Sequence, residues 1–362
     1  MQQIDELTKL LNLYFEWNKA RMDCFAGMLI ALIKLRCINL NELAKAFPSQ
    51  AKAESRYRRI QRFLSDYTLN FDRVAWFIMM WFDFLENDYY LVMDRTCWQW
   101  GKKNINILML AIVHKGVAIP IYWILLNKKG NSDTRERIAL IKRFIKNFGQ
   151  QHIKALLVDR EFIGKDWFMF LKKQEIDFII RIKKNFKVTN SRGLEVPAKN
   201  LFLFLKPGEQ LVIPRTRKML GIEVYLSALR LSDGQLLIVA ASQASDDAIE
   251  QYAERWEIET LFHAFKSRGF NLEDTHITHR LRIKRLLVVL AIAFCWAHRT
   301  GEWQHEHVSP IKVKKHQRLA KSIFRVGLDF LREGLLNITD SLEVALHKLI
   351  QFIDIKKYCM NE

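Results

Sequence analysis

The sequence predicts an α/β protein: a helical N-terminal domain, then an α/β core split by a β-rich insert, then a helical remainder. Three observations carry this. Apolar residues recur at three- and four-residue spacing from Leu7 to Leu85. Short apolar runs beginning at Tyr89 then alternate with helical segments. Residues 183–244 carry short alternating runs and turn signals with no helical period.

The N-terminal segment reads as helices throughout. One opens at Asn39, with Glu42 three residues on as a capping pair, and stops at Pro48. The next, about Glu54 to Leu64, turns Tyr57, Ile60, Phe63 and Leu64 to one side, leaving Arg56, Arg58, Arg59 and Arg62 on the rest. Two short helices with a basic second member suit a helix-turn-helix that binds DNA. A helical bundle with a solvated arginine face suits them equally.

At Tyr89 the texture changes. Tyr89 to Met93 is a short apolar strand ending at Asp94. Ile105 to Val113 and Val117 to Leu125 follow as strands joined at Lys115-Gly116. Thr134 to Phe148 is a helix that Gly149 stops. Ala155 to Val158 is a strand ending on Asp159, followed by a helix over Gly164 to Gln174 and a strand over Phe178 to Ile182. Turn residues at Ser191-Arg192-Gly193, Lys206-Pro207-Gly208 and Asp233-Gly234 punctuate the insert. After Ser245-Asp246-Asp247 one long helix runs to about Lys266, and the remainder is mostly helical. The expected domains are 1–85 helical, 86–182 core, 183–244 insert, 245–330 core again and 331–362 a C-terminal helical segment.

The chain holds 57 Lys and Arg against 39 Asp and Glu, a formal net charge of +18. The excess is unevenly placed. Residues 1–88 carry 12 basic and 11 acidic side chains, whereas residues 266–325 carry 13 basic and 4 acidic. Such a footprint suits a polyphosphate partner, double-stranded DNA, better than a membrane surface. Arg280, Arg282, Lys284, Arg285, Lys312, Lys314 and Lys315 are the candidate phosphate contacts. No apolar run reaches the ~18 residues of a membrane span; Leu286 to Ala297 reads as a buried helix. The polar start and five scattered cysteines without a CxxC pair fit a reduced, cytoplasmic protein. Cys97 reads as core and His305-Glu306-His307 as a surface loop. Without a phosphate-cradling glycine loop, no nucleotide cofactor is expected.

Asp94 and Asp159 each follow an apolar strand, where catalytic groups of open sheets concentrate. The long helix adds Tyr252, Arg255, Glu259 and Lys266. At about 100° per residue these four fall in one arc of about 60°, with Ile258, Leu261, Phe262 and Phe265 opposite. A carboxylate ringed by cations and a phenol suits two-metal phosphodiester chemistry, for which Mg2+ is the fitting ion and Mn2+ its substitute. Trp256, beside that polar face, either packs against the insert or stacks on a base at a distorted DNA end.

The spacing Y-(2)-R-(3)-E-(6)-K at Tyr252, Arg255, Glu259 and Lys266 resembles the signature of DDE transposases of bacterial insertion sequences, specifically insertion-sequence family four. Val92-Met93-Asp94-Arg95-Thr96 resembles the family's first aspartate region, and Leu157-Val158-Asp159-Arg160-Glu161-Phe162 its second. The resemblance spans roughly residues 50–330. It implies an RNase H-like core interrupted by a β-strand domain, with Asp94, Asp159 and Glu259 as catalytic metal ligands. It also implies cut-and-paste chemistry at terminal inverted repeats, strand transfer to target DNA and a homodimer in the synaptic complex. Members often cut through a hairpin held partly by an aromatic of the insert; this insert has no Trp and offers Phe186, Phe202, Phe204 and Tyr225. The alternatives are an RNase H-like nuclease and a non-catalytic DNA-binding transposition inhibitor.

Overall fold

The computed structural model describes residues 2–315 and 319–336. The 331–362 segment is thus seen only to residue 336; the rest of it, with Cys359, lies outside the described residues. In chain order the helices α1 (Gln2–Phe15), α2 (Lys19–Leu35), α3 (Leu40–Ala46), α4 (Ala53–Asp66) and α5 (Phe71–Trp81) precede strands β1 (Tyr89–Trp100), β2 (Lys103–His114) and β3 (Val117–Leu125). Then come α6 (Thr134–Phe148), β4 (Ile153–Val158), α7 (Lys165–Lys173) and β5 (Phe178–Ile182). Six strands follow: β6 (Lys187–Thr189), β7 (Glu195–Pro197), β8 (Gln210–Val212), β9 (Arg217–Met219), β10 (Ile222–Arg230) and β11 (Leu236–Ala241). The chain closes with α8 (Ala248–Ala253), α9 (Glu257–Phe265), α10 (Arg280–Trp303) and α11 (Ile323–Leu336).

Two compact units share these elements. One gathers Met1–Asp83, Trp98–Ile105 and Leu261–Glu362; the other gathers Phe84–Cys97 and Asn106–Thr260. These boundaries differ from those drawn by texture. The N-terminal helices do not stand alone, because α10 and α11 pack with α2, and α10 also with α4 and α5. The reason is chemical. Both α2 and α10 are apolar around nearly their whole circumference, with Met28 to Ala31 and Leu286 to Ala297 buried, so each needs helices on every side. At the α10–α11 contact Gly301 and Gly327 let the backbones touch; a Cβ on Gly327 would run into the Ala297 carbonyl.

The second unit is built on a nine-stranded mixed sheet in the order β3-β2-β1-β4-β5-β11-β10-β8, with β9 paired to β10. Strands β1, β4 and β5 run parallel, joined through α6 and α7, while β2–β3, β5–β11, β11–β10 and β10–β8 are antiparallel. Helix α6 has the predicted bounds: Asp133 and Glu136 form a reciprocal capping box and Gly149, at φ 73°, ends it.

Three sequence expectations change here. The first strand does not end at Asp94 but continues to Trp100 beside β2, so Asp94 is mid-strand. Residues 183–244 are not a self-contained β domain. Only β6 and β7 form a separate two-stranded sheet, whereas β11, β10 and β8 continue the central sheet and cover the β5 edge. The third concerns the helix after residue 245, which is broken: α8 and α9 are separated by a 3₁₀ turn at Glu254–Trp256. Among minor corrections, Cys97 is exposed rather than core. His305 and His307 lie in a π-helical turn, where the His305 Nδ1 accepts the Ile311 N–H at 2.8 Å.

Candidate active site

Strand register brings the two aspartates together. Met93 of β1 is in parallel register with Val158 of β4, so the next residues, Asp94 and Asp159, sit at one level on neighbouring strands. The broken helix adds the rest. A 3₁₀ turn advances about 120° per residue instead of 100°, so the single wheel drawn over residues 252–266 does not hold. Tyr252 is buried against Ala155, Leu157, Ile179 and Val239 rather than presented on a polar face, and its hydroxyl reaches Asp159 Oδ1 at 3.4 Å. Arg255, in the turn itself, is 4% exposed.

The Arg255 guanidinium joins two carboxylates from different elements. Its Nη1 donates to Asp94 Oδ2 at 3.0 Å and its Nη2 to Glu259 Oε1 at 2.8 Å. The second Asp94 oxygen accepts the Arg95 N–H at 2.7 Å. Through these contacts Arg255 links Asp94 to Glu259, and Tyr252 touches Asp159. Trp256 is 57% exposed, with the Arg255 guanidinium carbon 5.3 Å from its ring centroid, so the packed reading of this indole fails.

Two supports escaped the sequence reading. Glu161, two residues after Asp159, pairs with Arg95, one residue after Asp94, at 3.2 Å; Arg95 also donates to Asn106 at 3.1 Å. The pair ties the turn after β4 to β1, and the only trace in sequence is a basic and an acidic neighbour of each aspartate. Glu257 accepts N–H bonds from His114 at 2.9 Å and Gly116 at 3.0 Å, pinning the start of α9 to the β2–β3 turn. No local pattern flags it, since its partners are backbone groups 141 and 143 residues away.

Burial pushes the Asp94 carboxyl up to about 6, against the opposing Arg255 charge, and Glu161 and Asp159 add like charge. Burial likewise raises Glu257 to about 7. Both shifts are upward, so each contribution to stability is complete below the unfolded pKa and lost as pH rises through the folded one. Without divalent metal, stability should therefore fall between about pH 4 and pH 7, by roughly 3 kcal/mol for each group. Asp94→Asn should remove its share, as read by urea unfolding across that range. A flat profile in the unsubstituted protein would contradict the burial argument.

As a metal site the donor set fits a hard cation: three carboxylates, no thiol and no imidazole, with more negative charge than Arg255 alone balances. The three groups do not bring three oxygens within 4.8 Å of one another, so they do not form one ion's closed cage.

Elsewhere the candidate DNA residues divide. Lys266 lies in the helical unit, in the turn after α9, paired with Glu273 at 2.8 Å. Arg56 donates to the Lys45 and Phe47 carbonyls and Arg59 to Ala20, so these two arginines hold helices together, while Arg58 and Arg62 are exposed. Arg285 is a correction: it is 7% exposed and donates to the Leu64 and Ser65 carbonyls at 2.7 Å, ending α4 rather than facing a phosphate. Lys284 stands 4.4 Å over the Phe71 ring. Arg280, Lys312, Lys314 and Lys315 are exposed, and Arg282 partly so. Among the insert aromatics Phe202 is buried and Phe204 is 68% exposed.

A family model for the transposase DDE domain matches residues 87–296. Among solved structures, the chain is similar to that titled "Cryo-EM structure of piggyBac transposase synaptic complex with hairpin DNA". The TM-score is 0.47 at 11% identity, covering 96% of this chain and 83% of that one. No curated protein matches. No helix among the described residues is long and apolar enough to cross a membrane.

Proposed function

The chain belongs to the transposase DDE-domain family, and on that premise we propose that it cleaves DNA at terminal inverted repeats and joins the freed ends to target DNA. The observation that carries the reading is the Asp94–Arg255–Glu259 bridge beside the Tyr252–Asp159 contact. Three carboxylates from β1, the end of β4 and α9 share one site, and a protein that only bound DNA would gain nothing from them. The sheet order β3-β2-β1-β4-β5, with β1, β4 and β5 parallel, supports an RNase H-like core.

Asp94, Asp159 and Glu259 would hold the divalent ions, Mg2+ or Mn2+, through hard carboxylate oxygens. Bound divalent ions supply activation of the attacking oxygen and neutralisation of the departing one. The protein's own groups do the rest. Arg255 balances Asp94 and Glu259 before DNA arrives and offers its guanidinium to a non-bridging phosphate oxygen. Tyr252 orients Asp159 from within the core. Arg58, Arg62, Lys266, Arg280, Arg282, Lys284, Lys312, Lys314 and Lys315 would meet duplex phosphates, in a homodimer that brings two ends together.

The deciding experiment incubates the protein with a fragment carrying its terminal repeat, a target plasmid and Mg2+. Joined products are expected. Nicking without joining would assign a nuclease, and binding without cleavage an inhibitor.

Trp256 should act at the DNA end. Stacking on an unpaired base contributes about 1–3 kcal/mol. Trp256→Ala should therefore slow processing of an intact duplex end by about 5- to 160-fold, and that of an end pre-opened by a mismatch much less. Trp256→Phe should recover part of the rate. Equal loss on both substrates would remove the stacking role.

A further inference from the structure

Within the second unit, a cavity of about 740 Å³ lies at the carboxyl ends of β4 and β5, closed by the segment after β5 and the β10–β11 turn. Ligands of open α/β sheets sit outside that edge. Strand register aims it at the candidate site. Val158 of β4 lies opposite Ile180 of β5, so Asp159 and Arg181 come next on the two chains. Both share the parity of Leu157 and Ile179, which pack on Tyr252, and so belong to the same face of the sheet. Burial raises the Tyr252 phenol, and the Arg255 and Arg181 charges oppose it. Arg160, the residue after Asp159, lines the cavity with Arg181.

Hydrogen bonds fix the walls. The Lys199 N–H, in the 3₁₀ turn Ala198–Leu201, donates to the Lys184 carbonyl at 2.9 Å. Arg230 donates through Nε to the Leu205 carbonyl at 2.6 Å and through Nη1 to the Gly234 carbonyl at 3.1 Å. That guanidinium ties the stretch after the 3₁₀ turn to the β10–β11 connection.

The charge on these walls is one-sided. Arg160, Arg181, Lys183, Lys184 and Lys199 line the cavity, and none makes an ion pair among the described residues. Asp233 is the one acid in the lining, and its Oδ1 already accepts the Gln235 N–H at 2.9 Å. Like charges around one concave space repel each other and focus a positive potential into it, which an anion relieves. Size then selects the anion. Ligand pockets run to roughly 300–1,000 Å³, so this one is of ligand size. Its volume equals a cube about 9 Å on a side, narrower than the major groove of a duplex alone, at about 12 Å. A duplex does not enter; a single strand does. Leu203, 64% exposed, adds apolar surface for a base at the rim.

We propose that this cavity receives a short unpaired DNA strand leaving the site at Asp159, with Arg160, Arg181, Lys183, Lys184 and Lys199 holding its phosphates. The assignment rests on the DNA-processing reading above and deepens it, by naming a single strand as the occupant of this edge. The cations come from three places, the end of β4, the end of β5 with its following segment, and the 3₁₀ turn. That spread matches successive phosphates of one strand better than the single phosphate group of a nucleotide, and a basic groove of this kind takes a strand of any sequence.

The test uses the full chain and a double variant, Lys183→Gln with Lys184→Gln, whose side chains are exposed and take no part in the wall bonds. The probes are a blunt terminal-repeat duplex, the same duplex with a short oligothymidine tail, and thymidine monophosphate. The parent should bind the tailed duplex about tenfold more tightly than the blunt one. The double variant should lose that advantage and bind the blunt duplex as the parent does. On the tailed duplex its slope of log affinity against log salt should fall by about 1.4, at about 0.7 for each single-strand phosphate contact. Its Tm should match that of the parent, so that lost binding reads the surface and not the fold. Equal affinity of the parent for tailed and blunt duplexes would overturn the proposal. A matched loss by the variant on both duplexes would overturn it too, by giving the lysines to duplex phosphates. Thymidine monophosphate raising Tm of a parent without tail preference would instead assign the cavity to a free nucleotide. Tail preference without any cleavage in Mg2+ would sink the function proposed above while the strand seat stood; cleavage without tail preference would do the reverse.

Discussion

Asp94→Asn and Glu259→Gln should each lower Mg2+-dependent strand cleavage by about 10³-fold or more, while duplex binding changes by about twofold at most. Ions in a two-metal site contribute several kcal/mol to stabilising charge in the transition state, and each 1.36 kcal/mol is tenfold in rate. An amide keeps the shape of either side chain but not its anionic oxygens. On the proposed reading, binding rests on phosphate contacts on other elements, so it should survive. Asp159→Asn belongs to the same set, with the added loss of the acceptor for the Tyr252 hydroxyl. End-oligonucleotide cleavage paired with a gel shift reads both quantities. Cleavage retained by the Asp94 or Glu259 variant would remove that carboxylate from the chemistry.

Arg255→Ala should be the most destabilising single change in the site. The guanidinium side chain is 5% exposed and bonds Asp94 and Glu259 at once. Removing one partner of a buried ion pair strands the others, at about 3–5 kcal/mol. Millimolar Mg2+ should restore part of this, because a ligand bound only by the folded state stabilises it by mass action. Arg255→Lys should rescue little, since an ammonium on a flexible stem does not span both carboxylates in a fixed fork. Urea unfolding with and without Mg2+ measures the effect. An alanine variant as stable as the parent, with no greater response to Mg2+, would mean that Arg255 does not balance the site.

Tyr252 and Arg285 mark the limits of local reading. The wheel turns Tyr252 to the polar face, and segment charge gives Arg285 to a phosphate. Yet Tyr252 is packed with Ala155, Leu157, Ile179 and Val239, and Arg285 is buried on the Leu64 and Ser65 carbonyls. Angles along one helix say nothing of which neighbouring elements cover it, and the 3₁₀ turn at residues 254–256 shifts the phase besides. The arginines of α4 teach the same point. Identical in type and adjacent in sequence, Arg56 and Arg59 serve backbone carbonyls of α3 and α2, whereas Arg58 and Arg62 do not leave the surface.

By itself the sequence determined what short-range physics controls. Apolar runs made β3, β4 and β5, and the Asp133–Glu136 box and Gly149 bounded α6. Tertiary structure decided what depends on partners far along the chain. Register between β1 and β4 set Asp94 beside Asp159, and the open β5 edge drew β11, β10 and β8 into the central sheet. Helices α2 and α10, apolar around nearly their whole circumference along their buried stretches, had to be wrapped, which tied the C-terminal helices to the N-terminal ones. Glu257 found its donors 141 and 143 residues away. Backbone amides and strand edges look alike in every sequence, and only the fold chooses which side chain meets them.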